Sequence, residues 1–149
     1  MPVYQIKILQ CPIIMGIQAH TSPAVLLRAG MEALAYQLGA VYEQVRDALK
    51  MGQKVPRMIG SGGALLGSMT LQHIVTDTLG VPLYPSLDSE ASARGAALLV
   101  LEAMGVLADV AQVPPHLKVP VQPDAERGEI YKKATERQWR LYQALLPEV

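Results

Sequence analysis

The residues with the clearest chemical potential are Ser61-Gly62-Gly63-Ala64, which follow the short apolar run Val55 to Ile59 and lead into a helical pattern. A strand that ends in two glycines and turns into a helix presents bare backbone, because glycine has no Cβ to hold a ligand away. The free N–H groups and positive dipole end of a following helix would suit a flat or anionic ligand. The same two glycines also make an ordinary tight strand-to-helix turn, and both readings stay open at this level. Two better-known phosphate loops do not fit. Gly62 and Gly67-Ser68 have Walker A spacing but lack the lysine that grips the β- and γ-phosphates. Gly60-x-Gly62 begins a dinucleotide fingerprint, but Leu65 stands where the third glycine belongs.

The remaining reactive side chains form no constellation. His20, His73 and His116 lie in separate segments without metal-ligand spacing, and read as surface or satisfied histidines. Ser68, Ser86, Ser89 and Ser92 have no histidine and acid in the order of a hydrolase triad. Asp77, Asp88 and Glu90 read as helix caps and solvated carboxylates rather than general bases. No catalytic residue and no metal ligand is assigned. Cys11 is the only cysteine, which rules out an intramolecular disulfide and a Cys-rich zinc site, and suits the cytoplasm. The 13 basic and 13 acidic residues cancel and form no block, so nothing points to nucleic acid or a membrane surface as partner. Ile8 to Ile17 is apolar, but Gln10, Pro12 and the weakly basic start argue against a signal peptide. No run reaches the about 20 apolar residues of a membrane span.

The elements that must position the glycine turn follow from periodicity. Residues 1–19 read as extended, with a strand around Tyr4 to Leu9. Ser22 is a good N-cap and Pro23 fits the first helical position, where its missing N–H costs nothing. Leu27, Met31, Leu34, Leu38, Val41, Val45 and Leu49 then recur at steps of three and four, a long helical stripe that Gly52 would stop. A heptad coiled coil is the competing reading, weakened by Gly30 and Gly39, whose small size suits close packing on a sheet or helix. The strand Val55 to Ile59 is followed by a helix from about Gly67 to Leu79, stopped by Gly80. A second strand spans Val81 to Tyr84. Ser89 or Asp88 would cap a helix over Ala91 to Met104, with Glu90 in its first turn and small residues that admit a close neighbour. Residues 106–125, with Pro114, Pro115, Pro120 and Pro123, read as an ordered loop or linker. A last helix from Ala125 to Leu146 carries Tyr131, Trp139 and Tyr142 to pin it down. Strands alternating with helices imply parallel pairing in an α/β layer, with a sheet that is thin for so much helix. With half of the residues hydrophobic, no Phe and one Trp, the core must be largely aliphatic.

Four segments in order carry a family resemblance: LLRAGMEALAY from Leu26 to Tyr36, IGSGGA from Ile59 to Ala64, QHIVTDTLGVP from Gln72 to Pro82, and EASARGAALL from Glu90 to Leu99. Together they resemble the C-terminal domain of FGGY carbohydrate kinases, nearest the gluconokinase and xylulokinase branches, over roughly residues 16–146. The expected organisation is an unmatched segment 1–15 and a kinase C-terminal domain over 16–149. The resemblance implies part of an actin-like, ribonuclease-H-like ATPase fold. It implies that Gly62 and Gly63 lie against the adenosine of ATP, that Ala64 to Ser68 add nucleotide contacts, and that the helix from Glu90 to Ala97 packs near an interdomain hinge. The candidate nucleotide-binding residues are therefore Ser61, Gly62, Gly63, Ala64, Gly67 and Ser68. The reaction implied is Mg²⁺-assisted phosphoryl transfer from ATP to a sugar hydroxyl, with the base, most sugar contacts and the Mg²⁺ ligands in the family's N-terminal half. Residues 1–15 do not match the family's phosphate-holding β-hairpin, and Thr70 and Leu71 stand near a position where the family often has an aromatic. The partners expected are an adenine nucleotide and either the missing N-terminal kinase domain or a second copy of the chain, with no activity expected alone. The alternatives are a non-catalytic dimerising module and a different nucleotide-binding domain.

Overall fold

The computed structural model describes residues 13–52 and 56–145, so the expected strand at Tyr4 to Leu9, Cys11 and Val55 lie outside the described residues. The first helix, α1, spans Pro23–Ala48. Ser22 is its extended N-cap, with its Oγ accepting from the Val25 N–H, and Pro23 opens the helix as its fixed φ allows. The chain leaves α1 through two left-handed residues, Lys50 (φ 50°) and Gly52 (φ 57°). The stop therefore lies at Leu49, the C-cap, three residues before the glycine expected to provide it.

Strand β1 (Met58–Gly60) pairs in parallel with β2 (Leu83–Pro85), with Met58 opposite Leu83, Ile59 opposite Tyr84 and Gly60 opposite Pro85. Between them lie a four-residue helix, α2 (Gly63–Leu66), and α3 (Met69–Leu79). The helix expected from about Gly67 to Leu79 is α3, starting two residues later, and the short α2 before it is unexpected. Ser68 separates them by capping α3, its Oγ accepting from the Leu71 N–H at 3.2 Å. Gly80 ends α3 in the left-handed conformation at φ 66°, as a C-terminal glycine does.

After β2 come α4 (Ala91–Ala103), a 3-10 turn at Val110–Gln112, and α5 (Ala125–Leu145). Glu90 occupies the N-cap of α4 without a side-chain bond to the helix, so neither Asp88 nor Ser89 caps it as expected. The proline-rich segment is more than a linker. It runs antiparallel along the free edge of β2, bridging Leu83 to Val121 and Ser86 to Leu117. Val121 N–H donates to Leu83 O at 2.8 Å and Lys118 N–H to Pro85 O at 2.8 Å. Leu83 exchanges both backbone bonds with Val121, but Pro85, the next β2 residue to face this edge, has no N–H to give, so the pairing stays a pair of bridges rather than a strand.

The core is aliphatic, built from Leu71, Ile74 and Val75 of α3, Ala35 of α1 and Tyr131 of α5. Of the long stripe on α1, only Met31 packs against the core. Leu27, Leu34, Leu38, Val41 and Val45 are exposed, and Ala35 with half-buried Met31 and Tyr36 meets α3 instead. A Cβ on Gly39 would make ordinary contact with α3, 3.7 Å from Thr78 Cγ2. Gly30 has no neighbour within 4 Å of that position. Of the three aromatics on α5, Tyr131 enters the core, while Trp139 and Tyr142 stack on each other at 5.3 Å nearer the surface.

Candidate functional site

Parallel pairing sends both strands out of the same edge of the sheet. Loop 61–62 and turn 86–90 therefore leave side by side, joined by the Ser86 N–H to Gly60 O bond at 2.7 Å. The carboxyl edge of parallel strands is where open α/β sheets hold ligands. All six sequence-derived candidates fall on this edge in one continuous bend. Ser61 follows β1, Gly62 is the N-cap of α2, Gly63 and Ala64 begin α2, Gly67 ends it, and Ser68 starts α3. Ser61 to Ala64 and Gly67 are exposed, and Ser68 is half-buried.

The glycines have different reasons. Gly62 sits at φ 94°, ψ 143°, which a side chain tolerates poorly. Gly63 has an ordinary helical backbone and nothing within 4 Å of a Cβ, so only open space lies over it. Gly60 is buried, and a Cβ there would meet Leu65 Cδ2 at 2.6 Å and Leu83 Cδ1 at 2.9 Å. Gly67 is equally constrained, with Gly63 O 2.9 Å from its Cβ position. Gly60 and Gly67 thus let the bend close, while Gly62 and Gly63 leave its outer surface bare. The long helix with a free N-terminus expected directly after the glycines is absent. Only four residues follow before Ser68 caps α3, so the bend offers backbone and space rather than a strong helix dipole.

Behind the bend, Gln72 Nε2 donates to Leu65 O at 2.9 Å, and Gln72 is 3% exposed. Sequence reasoning assigned Gln72 no role. The available signal was a polar residue set among Leu71, Ile74 and Val75 on the buried side of an amphipathic helix.

The turn 86–90 borders an open hollow of about 560 Å³ with Arg94 and His116. Asp88 is engaged rather than capping: its carboxylate lies 3.5 Å from Arg94 Nε and 3.3 Å from His116 Nδ1. Arg94 also donates to Pro114 O at 3.1 Å, tying α4 to the proline-rich segment. Asp77 is the larger correction. Expected as a cap or solvated group, it is buried, with its Oδ2 accepting from Arg127 Nε at 2.6 Å and its Oδ1 from the Asp124 N–H at 2.7 Å. Asp124 in turn caps α5 by accepting from the Arg127 N–H, and that bond holds its carboxyl below the usual carboxylate range. This cluster faces a shallow cavity of about 250 Å³ with Arg28, His73 and Tyr131, on the helical side of the molecule. Among the described residues, no three His, Cys, Asp or Glu side chains converge to hold a metal ion. Nor is any described helix long and apolar enough to cross a membrane.

Comparison with known proteins agrees with this architecture. Residues 10–104 match the model of the FGGY family of carbohydrate kinases, C-terminal domain. Apulose kinase of Pectobacterium atrosepticum is 33% identical over 131 residues, covering 84% of this chain and 25% of that protein. Glycerol kinase 1 of Thermotoga maritima is 27% identical over 100 residues, covering 67% of this chain and 20% of its own length. The chain thus spans a quarter or less of the curated relatives it matches. Among solved structures, xylulose kinase from Rhodospirillum rubrum aligns with a TM-score of 0.69 at 24% identity, over 88% of this chain and 26% of that one. Gluconate kinase from Lactobacillus acidophilus aligns at 0.69 with 18% identity, over 87% and 26%. These likenesses place the α-rich structure with its small parallel sheet as part of the actin-like ATPase fold of the sugar kinases. The chain belongs to the FGGY family of carbohydrate kinases and carries that family's C-terminal domain.

Proposed function

We propose that this chain is the nucleotide-binding part of a carbohydrate kinase, with Ser61, Gly62, Gly63, Ala64, Gly67 and Ser68 forming a seat for the adenosine of ATP. The observation that carries this reading is the bare bend at the carboxyl edge of the parallel pair, with nothing within 4 Å of a Cβ at Gly62 or Gly63. A flat base can lie on backbone where no side chain intervenes. The chain's part in phosphoryl transfer is then to bind and orient the nucleotide, since catalysis in this chemistry is mostly positioning and charge stabilisation. The described residues do not fit a resident metal, so Mg²⁺ arrives with the phosphates and no step is assigned to it. Sugar contacts, the base and the grip on the phosphates come from a second polypeptide surface, and the chain alone is inactive in transfer.

The exposed stripe from Leu27 to Val45 supports the need for such a surface. Contiguous apolar area of this kind marks an interaction site, and the remainder of a kinase or a second copy could meet it. Calorimetric titration with Mg·ATP, ADP, AMP and NAD tests the reading, with Gly63→Val as control. Valine at Gly63 meets open space in the fold, so the variant stays folded while its side chain fills the seat. Adenine-nucleotide binding that falls at least tenfold in Gly63→Val is the expected result. Equal binding by the variant would remove the seat, and preference for NAD would replace the kinase reading by another nucleotide-binding role.

A further inference from the structure

We infer that Gln72 is a positioning residue for the glycine bend, a strut that holds α2 in place from inside the core. This rests on the nucleotide reading for its functional consequence, but the strut itself stands on geometry alone. Helix α2 has four residues, far short of the length at which a helix sustains itself in water. It keeps its shape through the Leu66 N–H to Gly62 O and Gly67 N–H to Gly63 O bonds, and it needs an external tie. Three ties are present, and all act on Leu65, the longest being the Ser68 N–H donating to its carbonyl at 3.3 Å. The Leu65 side chain enters the space left by the missing Cβ of Gly60, and its carbonyl also accepts from the Gln72 amide at 2.9 Å.

Gln72 is well suited to this. It is 3% exposed on α3, the helix that forms the centre of the core, so its position is fixed by packing. A buried amide is tolerated only where it is hydrogen-bonded, and the partner here is the main chain of the bend. An aliphatic residue would serve core packing alone equally well. The amide adds a rigid connection between α3 and the exposed backbone at Gly63 and Ala64. Gln72 touches no ligand in this arrangement, because it approaches the bend from behind.

The experiment is hydrogen exchange at the Leu66 and Gly67 amides, run beside nucleotide titration, on wild type, Gln72→Met and Gln72→Glu. Methionine keeps the volume and removes the donor. The glutamate variant keeps the shape, and its ionised carboxylate cannot donate to Leu65 O. Ile74→Val serves as a core control on the same helix that leaves the Gln72 amide in place. The expected result is about tenfold faster exchange at Leu66 and Gly67 in both Gln72 variants, with amides in the middle of α3 unchanged. Nucleotide affinity should fall roughly threefold to tenfold, the scale of one net hydrogen bond. Measured against unstructured amides at the same pH, protection should rise on acidification in Gln72→Glu, as the protonated acid regains a donor, and stay constant in Gln72→Met. Unchanged exchange at Leu66 and Gly67, or an equal rise throughout α3, would overturn the strut. If wild type binds no nucleotide, the functional reading falls and the exchange result alone decides the role of Gln72.

Discussion

Helices α3 and α4 differ by two residues in length, and α4 is the richer in apolar side chains, yet they have opposite fates. Helix α3 places Leu71, Gln72, Ile74, Val75, Thr76 and Asp77 out of solvent, and α4 buries none of its residues. Helix α3 lies between α1 and α5, whereas α4 has the short 3-10 turn as its main neighbour, fixed by Val110 N–H donating to Glu102 Oε1. Burial is decided by what stands opposite a helix and not by its own composition. The α3 side is the part of the molecule that folds it. The α4 side leaves Leu99, Val100 and Met104 exposed.

The sharpest way to break this contrast is to truncate one aliphatic residue on each helix. Ile74→Ala should cost about 2–5 kcal/mol, the range for deleting a buried aliphatic side chain. Leu99→Ala, at a position 58% exposed, should stay within about 0.5 kcal/mol. Thermal and urea unfolding of the two variants measure both values. Comparable losses would mean that α4 contributes to folding as α3 does.

A second comparison sets the ion pair of α3 against that of α4. Asp77 is buried and holds both Arg127 and the N–H of Asp124, so Asp77→Ala releases the start of α5 as well as a guanidinium. The expected loss is about 2–3 kcal/mol, the scale of hydrogen bonds to a charged group. The Arg94–Asp88 pair is longer, at 3.5 Å, and about a quarter exposed at each side chain. Arg94→Ala should therefore cost less than about 1 kcal/mol. Denaturant midpoints decide, and the contrast fails if Arg94 proves the more important.

Most of the architecture was legible in the sequence, and the misses share one cause. Ser22-Pro23, Gly80 and the two apolar runs carry their signals within a few residues, so the helices and the parallel pair are where local chemistry puts them. The six site residues are likewise contiguous, and one strand-to-bend pattern brings them together. What the sequence hid was partnership. The stripe on α1 is the strongest periodic signal in the chain, yet all of it but Met31 stays exposed, because periodicity marks an apolar face without saying what stands opposite it. Ala35, weak in any hydrophobic pattern, is fully buried with Met31 and Tyr36 beside it and so forms the real seam. Asp77 looked like a solvated carboxylate because its partner Arg127 lies fifty residues away. The proline-rich segment looked like a linker because its prolines and lack of periodicity give no local sign of β2, which only the fold brings beside it.

The smallest expected effect tests whether the α3 side is sealed at its rim. Tyr36 of α1 is half-buried against the core, 6.3 Å from the ring of Tyr131. Burial, and next the charge of Glu32, push its phenol up to about 12 from an ordinary 10. The folded state therefore holds the proton more tightly than the unfolded chain. Its contribution is fully present below pH 10 and is lost as pH rises from 10 toward 12. For a fully buried phenol, a rise from 10 to about 12 would correspond to about 2.7 kcal/mol. A ring still well exposed to water keeps less, on the order of 1–2 kcal/mol. Urea midpoints measured between pH 9 and 12 should fall more steeply in wild type than in Tyr36→Phe, which has no proton to lose. Leu99→Ala should follow wild type, since α4 takes no part in burying Tyr36. If Tyr36→Phe declines as steeply as wild type, water reaches the junction of α1 with α3 and α5, and the division of the molecule into a sealed side and an open side is wrong at that edge.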